Sequence, residues 1–266
     1  MATQGDDEDD INPVKMILPD EDQGKSLTML SDGTAKQQLQ QHYIRSIESM
    51  VVIRQLPSEG LSFQLWPAAT TLVTLLDNHR CHPSKSPLTT ILTALSKGGD
   101  NIRKLKILEI GSGTGLAGIA AAVTLGAKVT VTDLPHVIPN LQFNVDANAD
   151  LVAQNGGTVN VAPLRWGEDE DVEAIGREFD LVLASDVVYH DHLFQPLIET
   201  LRFLLNGGGE KKVFVMAHLR RWKKDSAFFK KAKKFFDVET LHTDPPQEGT
   251  RIGVVVYGFF GKNLKC

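Results

Sequence analysis

Cysteine is nearly absent: the chain of 266 residues has two, Cys81 and the final Cys266. That excludes a disulfide framework as the source of stability, and a reducing compartment is the simple expectation. No stretch approaches the roughly 20 consecutive apolar residues that a membrane-spanning helix needs. Positive charge does not predominate either. Against 28 Lys and Arg stand 33 Asp and Glu, a formal net charge of −5 at pH 7. No global basic field therefore draws the chain to nucleic acid or to an anionic membrane. The first ten residues, M-A-T-Q-G-D-D-E-D-D, lack the basic and apolar regions of a secretion signal. These absences leave a cytoplasmic or nuclear protein as the expectation. What is present is 42% hydrophobic content, enough at this length for one large α/β domain with a sizeable core.

The chain is organised around residues 105–133. Leu105 to Ile110 is an apolar run with the length and β-branched content of a buried parallel strand. It ends in Gly111, Gly113 and Gly115, and a helical stretch of small and apolar residues follows, Leu116 to Leu125. A second apolar run, Lys128 to Thr132, stops at Asp133. This predicts one β-α-β unit with a glycine-rich first turn and an acid at the end of the second strand. The glycines let the backbone turn tightly and approach a ligand, while the helix presents unpaired N–H groups. Asp133 is then placed to accept both ribose hydroxyls of a nucleoside cofactor.

Around this unit the pattern is one of alternating strands and helices. Residues 1–38 are acidic and without periodicity, which predicts a disordered tail. Tyr43 to Ile47 and Met50 to Gln55 predict a hairpin or two short strands, and Leu61 to Leu65 a further one. Pro67 suits the first position of a helix running through Leu76. Residues 79–103 read as a connector around a short helix, Leu88 to Leu95, with His79, Cys81 and His82 in a solvated loop because their spacing matches no zinc pattern. A helix follows from Pro135 to Ala149, a strand from Val159 to Pro163, a solvated acidic helix start at Glu168 to Glu173, and a strand from Phe179 to Ala184. Then come a helix from His192 to Leu205, a strand from Val213 to Ala217, and a basic helix at about 222–234. Phe236 to Leu241 and Ile252 to Phe260 close the chain as an antiparallel pair.

The glycines alone do not choose the cofactor. Gly113, Gly115 and Gly118 satisfy G-x-G-x-x-G, the dinucleotide fingerprint, which is weak in isolation. Glu109 argues against a pyrophosphate, which a carboxylate at the strand end would repel. The same carboxylate suits the ammonium of a methionine moiety, so acids at both strand ends fit S-adenosylmethionine better. These residues resemble motif I and the following acidic motif of the seven-strand methyltransferases. Four further pieces occur in family order: L-W-P-A-A around Trp66, R-W-G around Trp166, D-V-V-Y from Asp186 to Tyr189, and G-V-V-V-Y-G-F-F from Gly253. Over roughly residues 40–262 the chain resembles the protein-lysine methyltransferases of the methyltransferase-like family.

The resemblance implies a Rossmann-like seven-strand sheet with helices on both faces, an antiparallel last strand and a small N-terminal β extension. The expected organisation is a disordered acidic tail over 1–38, the β extension over 39–66 and the methyltransferase domain over 67–266. It implies S-adenosylmethionine lined by Gly111, Gly113, Asp133, Trp166 and Ala184, with Trp66 closing the methionine end. An indole plane packs well against adenine, and an aromatic face attracts a sulfonium. Asp186 and Tyr189 match the family's D-x-x-(Y/F) element and would be catalytic. Methyl transfer needs a neutral amine, and at pH 7 a lysine of ordinary pKa is neutral in about one molecule in a few thousand. Asp186 would raise that pKa further, so its expected roles are to orient the amine and accept the departing proton. Tyr189 would wall a narrow channel. The competing reading of Asp186 is a helix N-cap, for which Asp191 is an alternative. His190 and His192 are assigned no chemistry.

The implied partner is a protein substrate, such as a chaperone or a translation factor, met by a monomeric enzyme with no nucleic acid, membrane or metal involved. Within 222–236 the aromatic residues fall at helical spacing, so the lysines form a solvated face that could guide an acidic protein partner, with Arg220 or Arg221 at the substrate entrance. Three other functions stay open. A nicotinamide-dependent reductase would need a Tyr-x-x-x-Lys pair, and the residue four after Tyr189 is Leu193. A catalytically silent binding module would not need the glycines, Asp133 and Asp186 intact. A small-molecule methyltransferase is the third.

Overall fold

The computed structural model describes residues 28–29, 37–96, 103–206, 212–246 and 252–262. Its centre is the expected β-α-β unit: β4 (Lys106–Ile110), α3 (Leu116–Leu125) and β5 (Lys128–Asp133). Behind Lys106 every residue of β4 is buried, because β5 and β7 (Leu181–Ser185) pair with it in parallel on either side. A strand sends alternate side chains to opposite faces. Ile107 accordingly packs into one apolar layer, with α1 (Pro67–Cys81) and α3, while Leu108 and Ile110 pack into the other, with α7 (Phe194–Leu205).

The remaining strands are β6 (Thr158–Pro163), β8 (Val213–His218), β9 (Phe236–Thr243) and β10 (Val255–Gly261). The seven strands run in the order β6-β5-β4-β7-β8-β10-β9, with β10 antiparallel to both of its neighbours. This is the seven-strand sheet that the sequence predicts. The order reverses between β4 and β7, so a crevice opens beyond the carboxyl ends of those strands. Open α/β sheets place their ligands there.

The N-terminal extension is a hairpin, β2 (Gln38–Ile44) against β3 (Ser49–Gln55), with β1 (Thr28–Met29) added antiparallel to β2. Most of the tail expected over 1–38 lies outside the described residues, and Thr28–Met29 and Gln38 belong to strands. The free edge of β3 is met by asparagines of α4 (Ile138–Ala147). Asn144 accepts the N–H of Arg54 at 2.7 Å and donates to its carbonyl at 3.1 Å. One turn on, Asn148 treats Val52 in the same way, at 2.9 and 2.8 Å. Side-chain amides four residues apart on a helix thus stand in for a neighbouring strand. Asn148 also ends α4, just short of the Ala149 that the sequence predicts, and a second helix, α5 (Ala149–Gln154), follows.

Other boundaries moved for local reasons. Leu61–Phe63 is a 3-10 turn and not a strand, since Gly60 at φ 124° breaks extension before it. His79 and Cys81 lie in the last turn of α1 rather than in a loop, and α2 follows at Thr89–Ser96. The acidic run opens α6 (Asp169–Ile175). The basic helix is shorter than expected: α8 covers Asp225–Ala232, and Phe236 starts β9. No helix among the described residues is long and apolar enough to cross a membrane.

Candidate active site

A cavity of about 310 Å³ occupies the crevice beyond β4, β5 and β7. Its floor is the glycine turn. Gly111 has φ 60°, and a Cβ there would lie 2.9 Å from the rings and methyls of Trp166 and Val187. Only a bare backbone fits that cradle. Asp133, at the end of β5, is buried and accepts the Gly113 N–H through Oδ2 at 2.7 Å and its neighbour Leu134 N–H through Oδ1 at 2.8 Å. Burial raises its pKa against the pull of those two N–H groups. A carboxylate keeps further lone pairs beyond these two bonds, and Asp133 lines the cavity.

Glu109 does not line it. Strand alternation points its side chain beneath α3, where Oε2 accepts the Gly118 N–H at 3.0 Å and Oε1 is buried without a partner. Burial first, and Asp133 also, raise its pKa to about 8. The third glycine of the fingerprint is therefore a packing residue: a Cβ at Gly118 would stand 2.6 Å from that carboxylate. Ala184 is likewise off the wall. It faces the α7 layer and is buried in the core, and the next residue, Ser185, lines the cavity in its place. Both corrections follow from the two-residue period of a strand.

Trp66, Trp166, Asp186 and Tyr189 all line the cavity, although some 120 residues separate the first from the last. Asp186 sits at φ 55°, in the left-handed region, and caps no helix. Its Oδ1 accepts the Leu219 N–H at 2.8 Å and its Oδ2 accepts Arg221 Nη2 at 3.0 Å. His218 Nδ1 lies 3.5 Å from Oδ1, and His218 Nε2 lies 3.3 Å from Asp225. Two buried carboxylates thus alternate with the His218 imidazole and the Arg221 guanidinium. Burial would raise the pKa of Asp186, but His218 and Arg221 outweigh it and hold it below the ordinary value. Burial would likewise lower that of His218, but Asp186 and Asp225 raise it. A carboxylate so engaged is a weak proton acceptor, which bears on the role expected for it.

The same network places Arg221. Its guanidinium stands 4.9 Å from the centre of the Trp66 ring, whose Nε1 donates to the Leu61 carbonyl at 3.0 Å. His190, to which the sequence assigns no chemistry, lines the cavity and rests on Tyr189 at 4.8 Å between ring centres. Sequence reasoning missed Trp222 and the turn at Leu61–Gln64 as parts of the cavity; the only signal was their adjacency to Arg221 and Trp66. Burial, and then the charge of Asp133, raise the pKa of Tyr189, so its phenol stays protonated. Among the described residues no group of three or more His, Cys, Asp or Glu could hold a metal ion.

A glycine cradle, an acid at the end of β5 and an aromatic-walled extension fit S-adenosylmethionine in size and chemistry. Residues 46–235 match the family described as lysine methyltransferase. The chain belongs to that family. Among its relatives, the protein N-lysine methyltransferase METTL21A of Mus musculus is 36% identical over 154 residues, 58% of this chain and 67% of that protein. METTL21A of Danio rerio is 29% identical over 233 residues, 88% of this chain and 92% of that one. The EEF1A lysine methyltransferase 3 of Xenopus tropicalis is 36% identical over 116 residues, 44% of this chain and 48% of that protein. The chain is thus a protein-lysine methyltransferase dependent on S-adenosylmethionine.

Proposed function

We propose that this lysine methyltransferase acts on a soluble protein of the cytoplasm, and that the cavity divides into a cofactor end and a lysine end. The observation that carries the reading is that one continuous cavity joins Gly111, Asp133 and Trp166 to Tyr189, Trp66 and Arg221. At the cofactor end, Gly111 and Gly113 give room for close approach, Asp133 accepts the ribose hydroxyls and Trp166 packs against the base. The bound cofactor supplies a methyl group on a positively charged sulfur. At the other end, Tyr189 and Trp66 wall a channel suited to a long unbranched amine and keep water from it.

The reacting amine must be neutral. Asp186 alone would favour the ammonium, but Arg221 pairs with it and cancels its charge, so the pair does not hold the lysine in its protonated form. Asp186 then acts mainly by holding Arg221 and the loop after β8, and through them the entrance. Holding amine and methyl in line supplies most of the acceleration.

The Xenopus tropicalis relative is named for EEF1A, which supports a translation factor as the first substrate to test; a chaperone is the second. Purified enzyme and labelled S-adenosylmethionine should be incubated with separate cytosolic, nuclear and membrane fractions. Label on one or few cytosolic protein bands is the expected result. Label confined to the membrane or nuclear fraction would sink the cytoplasmic assignment.

A further inference from the structure

The segment Arg220–Lys234 carries eight cations and one acid, a net of +7, in a chain whose net charge is −5. Part of that charge surrounds a second recess, about 430 Å³ in volume, between α8 and the β9–β10 pair. Its polar rim is Arg220, Lys230 and Lys233, all exposed. Its floor is Phe229, Tyr257 and Val238, with the first two rings 4.7 Å apart. Among the described residues no acidic side chain lines it and none of the three rim cations forms an ion pair. Buried Phe228 and Ala232 hold α8 on the sheet, so packing fixes the helix and leaves the rim side chains free to meet a ligand.

The position of the recess is informative. Arg220 borders it, while Arg221 and Trp222 border the active-site cavity. One strip of backbone therefore separates the two, with consecutive Cα atoms about 3.8 Å apart. We propose that this recess binds an acidic segment of the protein substrate, a few residues from the lysine that enters the cavity. The inference rests on reading the cavity mouth beside Tyr189 and Trp222 as the lysine entrance. Three cations without an acid select carboxylates, and the apolar floor takes the aliphatic parts of an extended Asp- or Glu-rich stretch. The family acts on protein, and the overall negative charge disfavours a long polyanion such as RNA.

The test uses the full chain and fluorescence anisotropy with a labelled octaglutamate peptide as probe. Wild-type protein should bind it with an affinity that falls with salt, and Lys230→Gln/Lys233→Gln should weaken it by about tenfold or more. The exposed pair Lys85→Gln/Lys128→Gln serves as a remote control and should leave binding unchanged. No binding by the wild type, or equal losses in the two double variants, overturns the proposal. So does tighter, rim-dependent binding of a single-stranded oligonucleotide, which would make the recess a nucleic-acid site. Methyl transfer to protein lysine is measured in parallel: its absence from the wild type would refute the substrate reading, while the anisotropy result still decides the recess.

Discussion

Replacing Asp186 by alanine should unfold much of what surrounds it, so the informative substitution is Asp186→Asn. At φ 55° a side chain with Cβ costs about 1 kcal/mol, while Asp and Asn adopt this region readily. Alanine also leaves His218 and Arg221 buried without their shared counter-charge, which costs about 3–5 kcal/mol when one partner of a buried pair is removed. Alanine therefore faces a loss on the order of 4–6 kcal/mol, comparable with the whole stability of many domains. Asparagine removes the counter-charge too but keeps the backbone conformation and the acceptor for Leu219 N–H at 2.8 Å, so it should stay about 1–3 kcal/mol more stable than alanine. The raised pKa of His218 adds a pH signature. Stability from its pairing is fully present below the unfolded pKa and is lost as pH rises through the folded one. Urea unfolding in a pH series rising from about 6.5 should show wild type losing that increment and Asp186→Asn losing less. Folded Asp186→Asn should bind S-adenosylmethionine normally by calorimetry and transfer methyl slowly. Alanine and asparagine variants of equal stability, or an asparagine variant with full turnover, would refute the reasoning.

Glu109, with a folded pKa of about 8, binds its proton in the native state over a range where the unfolded chain has lost it. Stability should fall as pH rises from about 4.5 to 8, by up to about 1.4 kcal/mol per unit; Glu109→Gln should flatten that slope in denaturant titrations, and parallel slopes would count against it. Asn144→Ala removes the bonds to Arg54 and the 2.9 Å bond to the Thr114 carbonyl; it should cost about 2–4 kcal/mol and make the β2–β3 hairpin amides exchange first. Asp133→Ala should weaken S-adenosylmethionine by about 1–3 kcal/mol in calorimetric titration, and unchanged affinity would remove Asp133 from the ribose site.

The sheet was legible because its signals are local. Apolar runs ending at Gly111 and Asp133, and the order of the strands, need no knowledge of distant partners. Four of the cavity-lining residues were legible too, since Trp66, Trp166, Asp186 and Tyr189 belong to motifs with fixed places on the fold. Glu109 and Ala184 were misplaced because a motif gives position along a strand but not which face a side chain takes. The ion network around Asp186 was out of reach: it depends on β8 delivering His218, Leu219 and Arg221 to the neighbouring strand's end, a juxtaposition no spacing encodes. The asparagine ladder was invisible for the same reason, since it reads as an ordinary polar helix face until β3 lies beside it.

The central claim is that this cavity delivers a methyl group to the side-chain amine of a lysine in a protein. Its most direct test is amino-acid analysis of protein labelled by the purified enzyme with methyl-labelled S-adenosylmethionine, after nuclease treatment and full hydrolysis. The account predicts label in methyl-lysine, removed by protease before analysis and absent from the Tyr189→Ala control. Label recovered as methyl-arginine, in nucleotides or in the small-molecule fraction would contradict it.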